Sequence, residues 1–417
     1  MPSNIAKKRP ILITAGGTGG HVFPGLAVAR ALQAQDIPVV WMGTKKGLEA
    51  RVIPEAGIEM VYLSVNGLRG KNILTLIGAP IQLAKALFQS IMIMRKIKPK
   101  AVLGMGGFVA GPGGLVASLM GIPVVIHEQN AIPGLTNKLL SFVSKRVLEG
   151  FPGTFKGKKN SQGIGNPVRQ DIAGLKHPIY RLGDRWGHVH VLIIGGSLGA
   201  QALNEVVPMA LAELPLDKRP VVRHQAGKNK DVSTNKLYEK LGVNAEVTPF
   251  VEDMAEAYAW ADLVICRSGA LTVAEISAAG LSSIMVPYPY AVDDHQTANA
   301  KYLADAEATV LIQQNDLTKE SLASLLETLC SDRNKLIEMA FRAYELAKPN
   351  ATVEVAAICA EMAGYEFSVT SNNPTNSENK FEMVLNLDEN GKVETDVTSD
   401  DQRISSDKKK GINYEAA

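Results

Sequence analysis

The stretch ILITAGGTGGHVFPGLAVARAL, residues 11–32, decides how the chain is read. Ile11 to Thr14 is a short apolar, β-branched run of the kind found in buried strands. Gly16, Gly17, Gly19 and Gly20 follow within a few residues, more glycine than a tight turn requires. Pro24 then stands where a first helical turn tolerates proline. Val22, Leu26, Ala29 and Leu32 form an apolar stripe at helical spacing. The reading is strand, glycine turn, helix. Glycine lets the backbone approach a bulky anion, and the start of a helix offers unpaired N–H groups and a favourable dipole.

Two common phosphate motifs do not fit. Val22 breaks a G-x-G-x-x-G fingerprint, and no Gly-Lys-Ser/Thr follows as in a P-loop. A dinucleotide cofactor and an ATP-driven motor are therefore disfavoured. His21 lies beside the glycines. Histidine titrates near neutral pH and is a candidate base there. The same position also suits a residue making a local hydrogen bond at a helix start.

Working outward, the first half alternates strand-like and helical runs. Strands are expected at 38–43, 58–63, 101–103, 123–126 and 146–148, with helices around 47–55, 81–97 and 115–120. Such alternation implies a parallel sheet covered by helices, with ligands beyond the carboxyl ends of the strands. A second glycine loop, GMGGFVAGPGG at 104–114, follows the 101–103 strand. His127, Glu128, Gln129 and Asn130 form a polar cluster at another strand end. It suits a site, and it equally suits caps and turns.

The second half restarts the pattern. A strand at 190–194 runs into GGSLG and a helix from Gln201, and further strands are expected at 220–224, 245–249, 262–266, 283–287 and 309–312. After the 262–266 strand, RSGALTVAEISAAG places a helix N-terminus where an anion can bind. Glu275 lies one turn in, where a carboxylate can accept two hydrogen bonds from a ribose diol or simply complement the helix dipole. Asp293 and Asp294 are adjacent and open a helix, which reads as capping rather than metal binding.

Composition narrows the class. A chain of 417 residues suggests two domains, and 46% hydrophobic residues can build real cores. Three cysteines in no paired spacing argue against a disulfide framework or a Cys₄ metal site. No secretory leader and no membrane span is expected. The stretch from Glu366 to the end carries a net charge of −5, leaving +7 on the body. That polar, acidic tail, 366–417, is expected to be disordered. In NILTLIGAPIQLAKALFQSIMIMRKIK, at 72–98, apolar residues are ringed by Arg69, Lys71, Lys85, Arg95, Lys96 and Lys98. The pattern suits an interfacial patch on an anionic leaflet, and it also suits a buried helix with a basic end.

Taken in order, GGTGGHVFPGLAVA, GMGGFVAGPGG, HEQNAIPG, GNPVR, GGSLGA, RSGALTVAEISAAG and DDHQTANA resemble the bacterial N-acetylglucosaminyltransferases of peptidoglycan synthesis, the MurG family. The resemblance covers about residues 9–364 and leaves out the tail. It implies an α/β protein of the glycosyltransferase-B fold, with two Rossmann-like parallel-sheet domains facing a cleft. Residues 1–168 would receive the acceptor and face the membrane, completed by a C-terminal helix at 349–365, and residues 169–348 would bind UDP-GlcNAc. The implied reaction moves GlcNAc to the 4-hydroxyl of lipid I, undecaprenyl-diphospho-MurNAc-pentapeptide, with inversion, giving lipid II and UDP for cell-wall biogenesis.

By motif match, Ser197, Val251, Ala270, Leu271, Thr272, Val273, Ala274 and Glu275 would hold UDP. Gln296 and Asn299 would face the GlcNAc hydroxyls. Thr18, Gly19, Gly20, Asn130 and Arg169 would line the opposite wall, and Gly16, Gly17, Gly106 and Gly107 the acceptor diphosphate. His21 is the first candidate for the base and Glu128 the second. Phe108 stands where members of the family commonly carry tyrosine. The resemblance implies no cofactor, metal or nucleic acid. It implies a peripheral protein on the cytoplasmic face of the inner membrane, against anionic phospholipid. A UDP-GlcNAc 2-epimerase of similar fold is the competing enzyme reading; it needs no second substrate and no apolar, basic patch.

Overall fold

The computed structural model describes residues 8–64, 79–196, 199–368, 386–387 and 393–394. The chain divides into two units, Met1–Val369 and Thr370–Ala417. In the second, Asn386–Leu387 pairs antiparallel with Val393–Glu394. The expected disorder of the tail otherwise concerns residues outside those described, as do Ile73, Leu74, Leu76, Ile77, Arg69 and Lys71 of the suspected patch.

The first unit contains two parallel sheets. β1 (Ile11–Thr14), β2 (Val39–Gly43), β3 (Glu59–Tyr62), β4 (Ala101–Gly104), β5 (Val124–Glu128), β6 (Arg146–Glu149) and β7 (Ser161–Gly163) align in the order β3-β2-β1-β4-β5-β6-β7. β8 (His190–Ile194), β9 (Val221–Gln225), β10 (Glu246–Thr248), β11 (Leu263–Cys266), β12 (Ser282–Met285) and β13 (Thr309–Leu311) align as β10-β9-β8-β11-β12-β13. Ile11 pairs with both Val39 and Ala101, so β1 is central.

The side-chain period of two is visible in the cores. Ile11 and Ile13 pack on one face with Trp41 and Leu148, while Leu12 packs on the other with Met42, Val109 and Ile126. Likewise Val191 and Ile193 join one cluster and Leu192 and Ile194 another. Burial on both faces is why these strands are continuous apolar runs. Val355, Ala356, Cys359 and Ala360 of the helix Ala351–Met362 share the core of Ile11, Leu26 and Leu32.

The two sheets reverse their order at equivalent places, β1/β4 and β8/β11. Connections leave the sheet in opposite directions there and open a crevice at the carboxyl ends of those strands. Both principal glycine turns sit at these points.

The structure departs from the sequence reading in several respects. The glycines of 104–114 are not one loop, because a helix spans Gly107–Leu119. Its glycines serve close packing: a Cβ on Gly113 would strike the Met42 side chain, and one on Gly114 would come within 2.9 Å of Leu140. Pro24 lies inside the helix Gly19–Gln33 rather than in its first turn, since the helix already begins at the glycines. The strand β7 and the short helices Gln170–Ala173 and Pro178–Leu182 carry no apolar run or period long enough to be read from sequence.

One buried histidine makes the second sheet sensitive to acid. His224 on β9 accepts from the Tyr238 hydroxyl at Nδ1 (2.9 Å) and donates from Nε2 to Asn204 Oδ1 (3.1 Å). The Asn204 amide donates in turn to the Ala226 carbonyl, 2.9 Å, which fixes its orientation. Burial lowers the pKa of His224 to about 3. Between that value and the ordinary 6.5 the unfolded chain binds a proton that the folded chain refuses, so stability falls as pH falls. The expected contribution is about 1.4 kcal/mol per pH unit. Urea unfolding at pH 7, 6 and 5 should show a shallower pH slope in His224→Gln, by about one proton. An unchanged slope would show that His224 is not held neutral.

Candidate active site

The first glycine turn is fixed by two residues that the sequence reading did not single out. Trp41 on β2 donates from Nε1 to the Ala15 carbonyl, 3.0 Å. Glu49, fully buried, accepts from Gly17 N–H (3.2 Å), Thr44 N–H (2.9 Å) and the Thr44 hydroxyl (2.7 Å). The Gly17 N–H, expected to face a diphosphate, is thus already taken by a carboxylate. Gly16 is buried beside Glu49, and Gly107 has a φ of +78° with a would-be Cβ 2.5 Å from the Gly16 carbonyl. Any side chain there would push the two glycine turns apart. Thr18 is exposed and caps the helix start with extended backbone, leaving the first N–H groups of Gly19 and Gly20 without helical partners.

His21, one residue further in, is half-buried and lies 2.7 Å through Nδ1 from Gln129 Oε1. Gly106 brings its backbone against the same ring: a Cβ there would sit 3.1 Å from His21 Cε1. Glu128, the second candidate base, plays a different part. It is only 2% exposed and accepts from Asn130 N–H (3.0 Å), Asn130 Nδ2 (3.2 Å), Gly134 N–H (3.1 Å) and Asn137 Nδ2 (2.9 Å). Both oxygens are spent holding the 130–134 loop, so none is presented to a reacting hydroxyl.

Across the cleft, the helix Ala270–Ala279 begins after Gly269 and touches the helix Gly19–Gln33. Glu275 accepts from the Tyr258 hydroxyl (3.1 Å) and pairs with Arg169 Nη2 (3.4 Å). Arg169, in the segment joining the two sheets, therefore reaches the second half. Burial raises the Glu275 carboxyl above the usual range, against the opposing pull of Arg169 and Tyr258. Leu271, Ala274 and Thr272 are half-buried, and Thr272 lines the cleft. Ala270 is buried at the helix start. Val273 does not belong to this wall: its side chain is in the core and its N–H is bonded to the Gly269 carbonyl, 3.0 Å.

A cleft of about 700 Å³ runs over this surface, lined by Gly195, Gly196, Gly199, Lys230, Arg267, Gly269, Thr272, Tyr288, Gln296 and Gln314. That size suits a nucleotide-sized ligand. Arg267, also not singled out from sequence, donates from Nη1 to the Val286 and Pro287 carbonyls, both 3.0 Å, and from Nη2 to Gln314 Oε1, 2.5 Å. Its guanidinium lies over the Tyr288 ring. Gln296 accepts from Tyr288 N–H at 2.9 Å. Val251 is half-buried near the end of β10. Ser197 lies outside the described residues.

Asn299 departs from its expected role. It is fully buried, accepts from Ala131 N–H (2.8 Å), and donates to Asn130 Oδ1 (3.3 Å) and the Ser268 carbonyl (3.2 Å). In this structure its side chain is spent tying the two halves together. Among the described residues no three His, Cys, Asp or Glu side chains gather in a metal-binding arrangement.

Known proteins share this architecture. The Glycosyltransferase family 28 N-terminal domain matches residues 11–149, and the Glycosyltransferase family 28 C-terminal domain matches residues 190–355. The UDP-N-acetylglucosamine--N-acetylmuramyl-(pentapeptide) pyrophosphoryl-undecaprenol N-acetylglucosamine transferase of Methylococcus capsulatus is 53% identical over 358 residues, covering 85% of this chain and 99% of that protein. The transferase of the same name from Cupriavidus metallidurans is 52% identical over 356 residues, with coverage of 85% and 99%. The crystal structure of Acinetobacter baumannii MurG superposes with a TM-score of 0.75 at 44% identity, covering 85% of this chain and 99% of that one. A UDP-N-acetylglucosamine 2-epimerase is alike in fold alone, with a TM-score of 0.57 at 14% identity over 87% of this chain and 98% of that one.

The raised carboxyl of Glu275 has a measurable consequence. Above its folded pKa the folded protein carries a desolvated charge that the unfolded chain solvates freely, so ionisation weakens the fold. Below the unfolded value, about 4.3, both states are protonated and the penalty is gone. Glu275→Gln is therefore expected to raise the melting temperature at pH 7 to 8, with the gain vanishing near pH 4. A lower melting temperature at pH 7.5 would mean that the Arg169 pair outweighs desolvation.

Proposed function

As this chain belongs to the MurG family of N-acetylglucosaminyltransferases, we propose a residue-level account of how its cleft performs the family's reaction. The enzyme transfers GlcNAc from UDP-GlcNAc to the 4-hydroxyl of the MurNAc in lipid I, with inversion, releasing UDP and forming lipid II. The acceptor oxygen attacks the anomeric carbon as the bond to the diphosphate breaks. The acceptor proton must go to a base, and the leaving diphosphate must have its charge met.

In this reading His21 is the base and takes the proton at Nε2. The helix start at Ala270, Leu271 and Thr272 and the cation of Arg267 meet the diphosphate. Glu275 accepts from the ribose diol, Val251 lies against the base, and Gln296 faces the sugar. Gly19, Gly20 and Gly106 border the acceptor diphosphate. The observation that carries the account is the contact between the helix bearing His21 and the helix bearing Glu275. A glycine turn at the strand ends of each half suits transfer between two phosphorylated substrates better than rearrangement of one.

The acceptor's polyprenyl chain stays in a bilayer, so we infer that the first half docks on the cytoplasmic leaflet of the inner membrane. The support is an exposed apolar surface wider than the sequence suggested. Ile81, Leu83, Phe88 and Met92 lie on the helix Ala79–Ile97. That helix packs beside Gly107–Leu119, which packs beside Leu135–Leu140. These add Leu119, Leu135 and Leu139, and the turn that follows adds Phe142, 79% exposed. Lys85, Lys138 and Lys145 are exposed among them, and the Lys158 ammonium covers the Phe142 ring. Among the described residues no helix is long and apolar enough to cross a membrane.

Two experiments test this account. Full-length protein given labelled UDP-GlcNAc and a short-chain lipid I analogue should move label to lipid and release UDP in equal amounts. Glu275→Gln should raise the donor KM by about tenfold or more, the loss of a charge-assisted hydrogen bond. An unchanged donor KM would refute the ribose assignment. For the surface, Lys85→Glu, Lys138→Glu and Lys145→Glu combined should weaken binding to anionic vesicles by at least about tenfold, since each cation near an anionic leaflet contributes about 1 kcal/mol. Undiminished sedimentation with vesicles at low salt would place the docking surface elsewhere.

A further inference from the structure

We infer that Gln129 and His127 are positioning residues that fix the tautomer of His21, holding its proton on Nδ1 and leaving the Nε2 lone pair for the acceptor hydroxyl. The inference rests on the assignment of His21 as the base and adds how the chain makes it one.

A backbone carbonyl only accepts. His127 Nε2 lies 2.9 Å from the Gly165 carbonyl, so that nitrogen carries hydrogen. Burial lowers the pKa of His127 to about 4, so its ring is neutral at working pH and its Nδ1 is an acceptor. Gln129 Nε2 lies 3.1 Å from both that Nδ1 and the His127 carbonyl. Two acceptors demand the amide's NH₂ group, and this sets the Gln129 side chain one way round. Its oxygen then faces His21 Nδ1 at 2.7 Å. An amide oxygen cannot donate, so His21 Nδ1 must. The neutral His21 ring has one hydrogen, and Nε2 is left unprotonated.

The chain is rigid as well as directional. His127 and Gln129 are buried, and Gln129 is further anchored by Asn166 Nδ2 donating to its backbone carbonyl, 3.0 Å. His127 is backed by Asn137 Nδ2 donating to its carbonyl, 3.1 Å. Among the described residues nothing hydrogen-bonds to His21 Nε2. In the reaction the acceptor O–H proton passes to Nε2 as the oxygen attacks. The imidazolium then formed keeps its Nδ1–H on the Gln129 oxygen, and no charge moves along the chain. The other tautomer would present an N–H to the acceptor oxygen and could not take its proton.

The test reads the tautomer directly. Full-length protein labelled with ¹⁵N-histidine is examined by long-range ¹H–¹⁵N correlation at alkaline pH, with signals assigned by their loss in His21→Asn and His127→Asn. The expected wild-type pattern for His21 is a protonated Nδ1 and a bare Nε2. In Gln129→Met that pattern should collapse to a mixture, with kcat down by about 10²-fold, the lower range for loss of general-base catalysis, and donor KM within about twofold. Finding His21 in the Nε2–H form in the wild-type protein would overturn the proposal, as would wild-type kcat in Gln129→Met. Because the spectrum needs no turnover, it separates this proposal from the base assignment. Wild-type kcat in His21→Asn would refute the base assignment and the catalytic purpose of the lock together, whatever the tautomer.

Discussion

The pairing of β1 with β4, repeated by β8 with β11, is the constraint on which the cleft depends. Parallel strands need crossovers, and where successive crossovers take opposite sides of a sheet the strand ends between them are left uncovered. Backbone at that point must turn sharply and approach other backbone closely. Hence the Gly107 Cα lies against the Gly16 carbonyl, and the Gly199 position faces the Ala226 carbonyl where no Cβ fits. The glycines are a consequence of this topology before they are a binding motif. The phosphate role proposed for them would follow because the same geometry aims helix starts into the crevice.

This accounts for what could be read from the sequence. Buried parallel strands are continuous apolar runs, so ILIT, VLIIG and LVIC declared themselves, and the glycine turns after them located the cleft. Side chains that turn inward gave no such signal. Glu49 looks like an ordinary helical acid on the strength of its neighbours, and only the fold puts it under Gly17 and Thr44. Arg267 stands inside a quoted motif, yet its partners Val286, Pro287 and Gln314 come from later segments. Val273 failed in the opposite way. Matching a motif selects a run of residues, but a helix turns about 100° per residue, so members of one run face the core, the cleft and the partner half by turns.

The GFVAGPGG segment carries a related lesson. Glycine at this density reads as loop, because each glycine weakens an isolated helix by about 1 kcal/mol relative to alanine. Here the helix is held by burial instead. Val109, Ala110, Val116 and Ala117 are in the core, and Gly113 and Gly114 let the helix lie close to Met42 and Leu140. Tertiary packing overrides propensity where close approach is gained in return.

The polar groups around His21 show why such a site can be both buried and ordered. Burying a polar atom without a partner costs about 1–3 kcal/mol, so most are satisfied in place. Glu128, Gln129, His127 and the side-chain NH₂ groups of Asn137 and Asn166 pair with one another and with the carbonyls of 127, 129 and 165, while the Asn137 and Asn166 side-chain oxygens are buried without a protein partner. The network ends on Gly165, whose would-be Cβ abuts Lys348, so it is rooted where the chain passes between the halves and returns. Asn299 and Asn130 then join the halves through neutral hydrogen bonds, each contributing about 1 kcal/mol net. Those bonds together are comparable with what one charged contact can supply. His21 is therefore held within its own half by a bonded network, while the Asn130 and Asn299 side chains add only neutral hydrogen bonds between the halves.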